Sequence, residues 1–206
     1  MANWTQRGEA LEQISEWRLV ARAEVDTGRG FYPFTLVWRA DADEDVIDAS
    51  GPGGQGGGRL ILRAETADLR LRSGERFSDA DADRLAAELL GVEIPVRATR
   101  DWLRAIPRGN SARLVFDTSD QLTSFQDGDW MVRYLAYARS SADVSEPLPL
   151  LPADLLIENR RIGVEIRVRE ARWFLRLPSG DGTVPTRSGE LRRADKSAAA
   201  GIRAPG

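Results

Sequence analysis

Histidine and cysteine are both absent from the 206 residues. Without cysteine there is no disulfide, thiolate nucleophile, iron–sulfur cluster or thiolate zinc site, and cysteine usage leaves the redox compartment open. Without histidine the Ser-His-Asp triad, the usual general base near neutral pH and the commonest transition-metal ligand are gone. No apolar run approaches the roughly 18 residues that mark a transmembrane helix. The first thirty residues carry Glu9, Glu12, Glu16, Glu24 and Asp26 and no apolar h-region, so no secretory signal is read and the chain as written reads as soluble. Lysine is also nearly missing: Lys196 is the only one among 29 basic residues. Arginine forks suit phosphate, but 32 acidic residues are interleaved with them for a net charge of −3. No basic face follows from that pattern, and nucleic acid is not an expected partner.

What is present is an ordinary globular composition, 42% hydrophobic and 30% charged, long enough to bury a real core. Residues 3–14 read as a helix, with Asn3 as cap and an apolar edge at Leu11 and Ile14. From residue 17 the pattern turns to strands, at 17–25, 31–38, 46–50, 59–64 and 68–73. Ser78-Asp-Ala-Asp81 opens a helix with Leu85, Leu89 and Leu90 as its buried stripe and Gly91 as its C′ residue. A second short helix follows around 99–105, stopped by Pro107. Strands recur at 112–117, 121–126, 130–137, 153–158, 162–169 and 171–177. The clearest alternation is Ile162, Val164, Ile166 and Val168 against Gly163, Glu165, Arg167 and Arg169. Successive strands with short turns argue for one antiparallel sheet. Two short helices are too few to cover such a sheet flat. The expectation is therefore a mainly β (α+β) domain over 1–177, its curved antiparallel sheet forming a half-barrel around an apolar cavity closed by short helices. Residues 178–206 lack aromatics and are rich in Gly, Ser, Ala, Pro and Arg, the composition of a disordered tail.

Motifs for catalysis or cofactors fail on inspection. Gly51-Pro-Gly-Gly-Gln-Gly56 fits G-x-G-x-x-G, but Arg59-Leu-Ile-Leu62 after it is a strand and not the helix a dinucleotide fingerprint needs. The same stretch has P-loop spacing with Arg59-Leu60 where Lys-Ser/Thr belongs. Asp41, Asp43 and Asp45 imitate a calcium loop, yet Val46 and Pro52 stand where Gly and Glu are required. Asp79, Asp81 and Asp83 belong to a helix start. No carboxylate pair stands out for acid–base chemistry. Neither a metal, a cofactor nor a catalytic residue is expected. The aromatics carry more: Trp38, Trp102, Trp130 and Trp173, with Phe34, Tyr134, Tyr137 and Phe174, suit a core and also the lining of an apolar pocket.

Several segments resemble the LolB family, the outer-membrane receptors for lipoproteins. Gly91-Val-Glu-Ile-Pro-Val96, Arg100-Asp-Trp-Leu103 and Ile106-Pro107 match its G-x-x-(I/L)-P…R-x-W…(L)P segment, with Ala105 where a glycine is usual. Trp17-Arg-Leu-Val-Ala-Arg22, Phe34-Thr-Leu-Val-Trp38, Ser50-Gly-Pro52 with the following Gly-Gln-Gly, and Asp129-Trp-Met-Val-Arg-Tyr134 continue the likeness in order. So do 148–156 and 161–173. The resemblance implies a cavity that receives the acyl chains of lipoproteins from a LolA-type periplasmic carrier and passes them to the inner leaflet of the outer membrane. The protein would act as a monomer on the periplasmic face and would not be an enzyme. It places Trp38, Trp102, Leu103, Trp130, Tyr134 and Trp173 in the cavity wall or lid, with the helix of Trp102 suited to move. It makes Gly51, Pro52, Gly53 and Gly54 the membrane-contact loop, with Gly53 in place of a protruding Leu. No anchor cysteine is present as written. The competing expectations are a hydrolase using Asp/Glu in the same cavity and a generic lipid-binding module.

Overall fold

The computed structural model describes residues 2–12, 14, 16–107, 111–141 and 148–176. The cap expected at Asn3 and the tail at 178–206 lie outside the described side chains and residues. After helix α1 (Ala2–Glu12) come β1 (Glu16–Asp26), β2 (Phe31–Ala40), β3 (Asp45–Ser50), β4 (Gly58–Leu62), β5 (Ala67–Leu71) and β6 (Arg76–Asp79). Helices α2 (Ala82–Leu90) and α3 (Val96–Leu103) follow. Strands β7 (Ser111–Phe116), β8 (Leu122–Asp127), β9 (Trp130–Ala138), β10 (Leu151–Asn159) and β11 (Val164–Arg176) complete the described residues. All eleven strands form one open antiparallel sheet in the order β6-β5-β4-β3-β2-β1-β11-β10-β9-β8-β7. The mainly β, curved antiparallel architecture read from the sequence is the one observed.

Alternation builds the sheet. In β1, Trp17, Leu19, Ala21, Ala23 and Val25 are buried while Arg18, Arg22 and the strand ends face water. The apolar inner faces of the strands and the helices share one core. The outer face is a lattice of arginines and acids, such as Asp48 between Arg39 (2.8 Å) and Arg59 (2.7 Å). Each such exposed pair is worth roughly 0–1 kcal/mol. The acidic stretches make turns. Asp41 accepts hydrogen bonds from the N–H groups of Asp43 and Glu44, and Asp117 does the same for Ser119 and Gln121. The Glu44 and Asp43 donors hold the Asp41 carboxyl below its ordinary range.

Three details differ from the sequence reading. The strands expected at 162–169 and 171–177 are one strand, β11, broken in phase by a bulge. Val20 pairs with Arg172 and Arg22 with Arg169, so two residues of β11 face Ala21 alone. Glu170 takes the left-handed conformation there (φ 54°), and its N–H is held by Asp154 (2.9 Å). Ile162 is not part of the alternating strand; it sits in the preceding turn and is exposed. Between the expected strand at 68–73 and the expected helix start at Ser78, the chain makes an additional strand, β6, paired with β5.

The helix boundaries also move. Asp81, not Ser78, is the N-cap of α2, accepting from Asp83 N (3.0 Å) and Arg84 N (3.3 Å), and Gly91 closes the helix in the left-handed conformation as expected. Helix α3 begins at Val96 behind Pro95, three residues before the expected start. Ala105, just beyond it, has φ 55°, which gives a physical reason for glycine at that place. Asp81→Ala should lower stability by about 1 kcal/mol through the lost cap, measured by thermal or urea unfolding, with an unchanged midpoint as the contrary result.

Candidate functional site

The inner face of β1–β4, β10 and β11 and the facing sides of α2 and α3 enclose an apolar crevice. Leu36, Trp38, Ile47 and Leu60 line it from the sheet on one side, and Ile166 and Val168 from β11. The helices contribute Ala86, Leu89, Leu90, Val96, Thr99 and Leu103. Thr99 brings the one hydroxyl in the lining, and that group is already bonded to Pro95 O (3.0 Å). The crevice volume is only about 50 Å³. Sites for small molecules usually measure about 300–1,000 Å³, so the crevice is closed as it stands.

A second, open groove of about 530 Å³ adjoins it and shares Phe34, Ala49, Leu89 and Leu90. Its outer lining includes Arg29, Phe31, Tyr32, Pro33, Gly51 and Gly57. The groove thus runs from the buried crevice, past the end of α2, to the Gly-rich loop. That loop is a turn of 3-10 helix over Pro52–Gly54. Gly57 allows a close approach, since a Cβ there would lie 2.1 Å from Ala49 O. Gly53 has φ 66° and open space around it.

The two helices are attached differently. Helix α3 is tied to the sheet by polar bonds at several points. Arg97 donates to Arg63 O (2.7 Å), Arg100 pairs with Asp45 (2.8 Å), Trp102 Nε1 donates to Asp127 (3.0 Å), and the Tyr134 hydroxyl donates to Trp102 O (2.7 Å). Arg7 of α1 donates to the carbonyls of Ala105 (2.9 Å) and Arg104 (3.0 Å), which the helix end leaves without helical partners. Burial pushes the Asp45 carboxyl up, and the Arg100 guanidinium opposes it. Helix α2 buries Ala82, Leu85 and Ala86 and lies against β4, β5 and β6. Its polar ties are the pairing of exposed Arg84 with Asp79 (3.2 Å) and the bond from Val96 N to Asp83 (2.9 Å), which links it to α3.

The six wall residues named from the sequence fall into two groups. Trp38 and Leu103 line the crevice, and Trp173 is reached from Trp38 through Trp17, with ring centroids 6.0 and 5.4 Å apart. Trp102 packs on Trp130 at 5.8 Å, and Tyr134 stacks on Phe125 at 6.2 Å, beneath α3 but away from the crevice. Burial raises the Tyr134 hydroxyl pKa well above its ordinary value, so it stays a donor to the α3 carbonyl. The sequence reading did not single out Trp17, whose ring lies under the Arg100 and Arg104 guanidiniums at 5.8 and 5.6 Å. Nor did it place Leu60, Ile47, Ile166 and Val168 in the lining, although their inward positions in the alternation carried that signal.

The family model described as "Outer membrane lipoprotein LolB" matches residues 15–173. An outer-membrane lipoprotein LolB of Pseudomonas fluorescens is 30% identical over 145 residues, covering 68% of this chain and 69% of its own. The LolB of Stutzerimonas stutzeri is 26% identical over 174 residues, covering 82% and 80%. Among solved structures, a LolA superfamily protein from Nitrosomonas europaea overlaps 84% of this chain and 94% of its own with a TM-score of 0.46 and 9% identity.

Proposed function

From the premise that the chain belongs to the LolB family, a family of outer-membrane lipoprotein localisation and not of enzymes, we propose that it holds lipoprotein acyl chains in the crevice beneath α2 and α3. It takes them from a LolA-type periplasmic carrier and gives them to the inner leaflet of the outer membrane, working as a monomer on the periplasmic face. The observation that carries this reading is the apolar crevice continuous with a groove that leads outside. No step needs a catalytic residue or a cofactor.

An acyl chain of about fourteen methylenes costs roughly 11 kcal/mol to expose to water at about 0.8 kcal/mol per methylene. Passing it from one cavity to another exchanges apolar surroundings for apolar surroundings, so a few kcal/mol of differential affinity sets the direction. A closed crevice of about 50 Å³ must widen to accept it. The more numerous polar ties of α3 favour α2 as the part that moves, turning about its one part-buried bond to α3, Val96 N to Asp83, while its apolar packing slides.

Native mass spectrometry of the purified chain tests the reading: an acylated ligand that co-purifies and leaves when a carrier is added is expected. A chain that never carries or accepts an acylated peptide would refute it. The loop adds a second expectation. Gly53 has no side chain to bury in a bilayer, whereas one Leu buries roughly 1.5–3 kcal/mol. Gly53→Leu puts a left-handed conformation on a residue with a Cβ at a cost of about 1–2 kcal/mol, while the space around it leaves the side chain unobstructed. Transfer of lipoprotein into liposomes should rise about tenfold, with acceptance from the carrier unchanged. Equal transfer rates for parent and variant would remove the loop tip from the delivery step.

A further inference from the structure

The register of the sheet brings the turns at 27–30, 51–57, 72–75, 128–129 and 160–163 to one rim, because Asp26 lies opposite both Phe31 and Glu165, and Asn159 opposite both Val164 and Trp130. The turns at 27–30 and 160–163 touch: a Cβ on Gly28 would sit 3.8 Å from Gly163 O. Three large apolar side chains stand out at these adjacent tips, Phe31 at 58% exposure, Tyr32 at 54% and Ile162 at 47%. Nothing in the core reading explains them.

Charge divides between the two rims. The turns of this rim carry Arg29, Arg72, Arg160 and Arg161 against Glu75 and Asp129. Asp129 is taken by Arg161 (3.0 Å). The turns of the opposite rim at 41–44, 63–66 and 117–121 carry Asp41, Asp43, Glu44, Glu65, Asp117 and Asp120, with Arg63 among them and Arg97 bonded to the Arg63 and Ala64 carbonyls. A chain of net charge −3 therefore presents a positive apolar rim and turns its acidic rim away.

We propose that this rim is a docking surface for an anionic phospholipid bilayer, with Phe31, Tyr32 and Ile162 entering the interface and Arg29 and Arg160 meeting headgroup phosphates. Aromatic rings with a polar tip beside arginine are the composition of a membrane–water boundary. The apolar groups sit on separate protruding tips around a glycine-rich loop. A fluid bilayer takes such points individually, whereas a folded partner needs a contiguous complementary patch. The outer groove opens beside Phe31 and Tyr32, so docking would place its mouth at the lipid surface. The proposal deepens the delivery step but does not depend on acyl binding, and its primary readout, flotation, needs no lipoprotein.

The test is flotation of the 206-residue chain with vesicles of phosphatidylethanolamine and one quarter phosphatidylglycerol, compared with pure phosphatidylcholine. The parent is expected to float with the anionic vesicles. The triple variant Phe31→Ser, Tyr32→Ser, Ile162→Ser changes exposed residues only, and should bind at least tenfold more weakly with its thermal unfolding preserved. Arg29→Gln with Arg160→Gln should weaken binding several-fold on anionic vesicles and leave phosphatidylcholine unaffected. A parent that stays with neither vesicle, or a triple variant that floats like the parent, overturns the proposal. A triple variant that floats normally but no longer exchanges lipoprotein with the carrier overturns it too, and assigns the rim to a protein partner. If the parent floats but binds no palmitoylated peptide, the acyl-binding reading fails and this one stands.

Discussion

Leu89→Asp should reduce the affinity for a palmitoylated peptide about thirtyfold or more. Leu89 lines both the crevice and the groove, and it is only half-buried, so the fold can accept a polar side chain there. In the acyl-bound state that carboxylate would lie along the chain and lose its water. Burying even an uncharged polar group without a partner costs about 1–3 kcal/mol in proteins, and a charge costs more. Two kcal/mol already amounts to roughly thirtyfold in affinity. Leu89→Met, which keeps volume and polarity, should bind like the parent. The affinity is read by titration calorimetry or by quenching of a tryptophan near the crevice. Equal affinities in Leu89→Asp and the parent would mean that the acyl path does not pass α2.

Trp102→Ala should lower the free energy of unfolding by about 3–5 kcal/mol. The ring is 2% exposed, packs on Trp130 and donates to Asp127 at 3.0 Å. Its removal leaves a cavity under α3 and takes away one of the bonds that tie this helix to the sheet. Trp102→Phe keeps most of the ring and should cost about 1 kcal/mol for the lost hydrogen bond plus a small packing term. Urea unfolding of the two variants separates these contributions. A loss below about 1 kcal/mol in the alanine variant would show that α3 is not anchored there. The same residue looked from the sequence like part of a movable lid; its bonds to Asp127 and Tyr134 tie α3 to the sheet, which is why the proposed movement is given to α2.

The legible and illegible parts of this fold have separate physical causes. The strand at 17–25 could be read to within a residue because a two-residue period survives unbroken along it, and those at 31–38 and 130–137 because the turns Asp26–Gly30 and Asp127–Asp129 bound them. Strand β11 could not, because the bulge at Glu170 shifts the inward positions from Val164, Ile166 and Val168 to Ala171 and Trp173. A period argument sees two strands where the hydrogen-bonded ladder sees one. Ile162 misled for a related reason: it lies at the right spacing but beyond the strand, in a turn opened by the Asn159 side chain, which accepts from Arg161 N at 3.1 Å. Strand β6 was hidden because Arg76-Phe-Ser-Asp79 has a single apolar residue, the exposed Phe77, and no alternation. It exists through its pairing with β5, a contact that local sequence does not encode.

The candidate site was legible only in part. Residue type pointed to the tryptophans, but type does not say which side of the helical layer each ring lies on. Trp38 reached the crevice because it shares the inward parity of Leu36 on β2. Trp102 and Trp130 share a different contact, set by the pairing of β8 with β9 far along the chain. The small and aliphatic lining, Ala86 and Leu60 among it, carried no chemistry to attract notice. The exposed aromatics at Phe31 and Tyr32 were read as ordinary strand residues, since exposure is a property of where the sheet ends.

The most direct measurement is photo-crosslinking with a peptide whose palmitoyl chain carries a diazirine near its terminal methyl, followed by mass spectrometry of the labelled sites. Acyl binding beneath α2 predicts labels on the crevice wall, at residues such as Leu60, Leu89 and Ile166. Labels confined to the arginine-rich outer face, or no labelling under conditions where a LolA-type carrier is labelled, would contradict it.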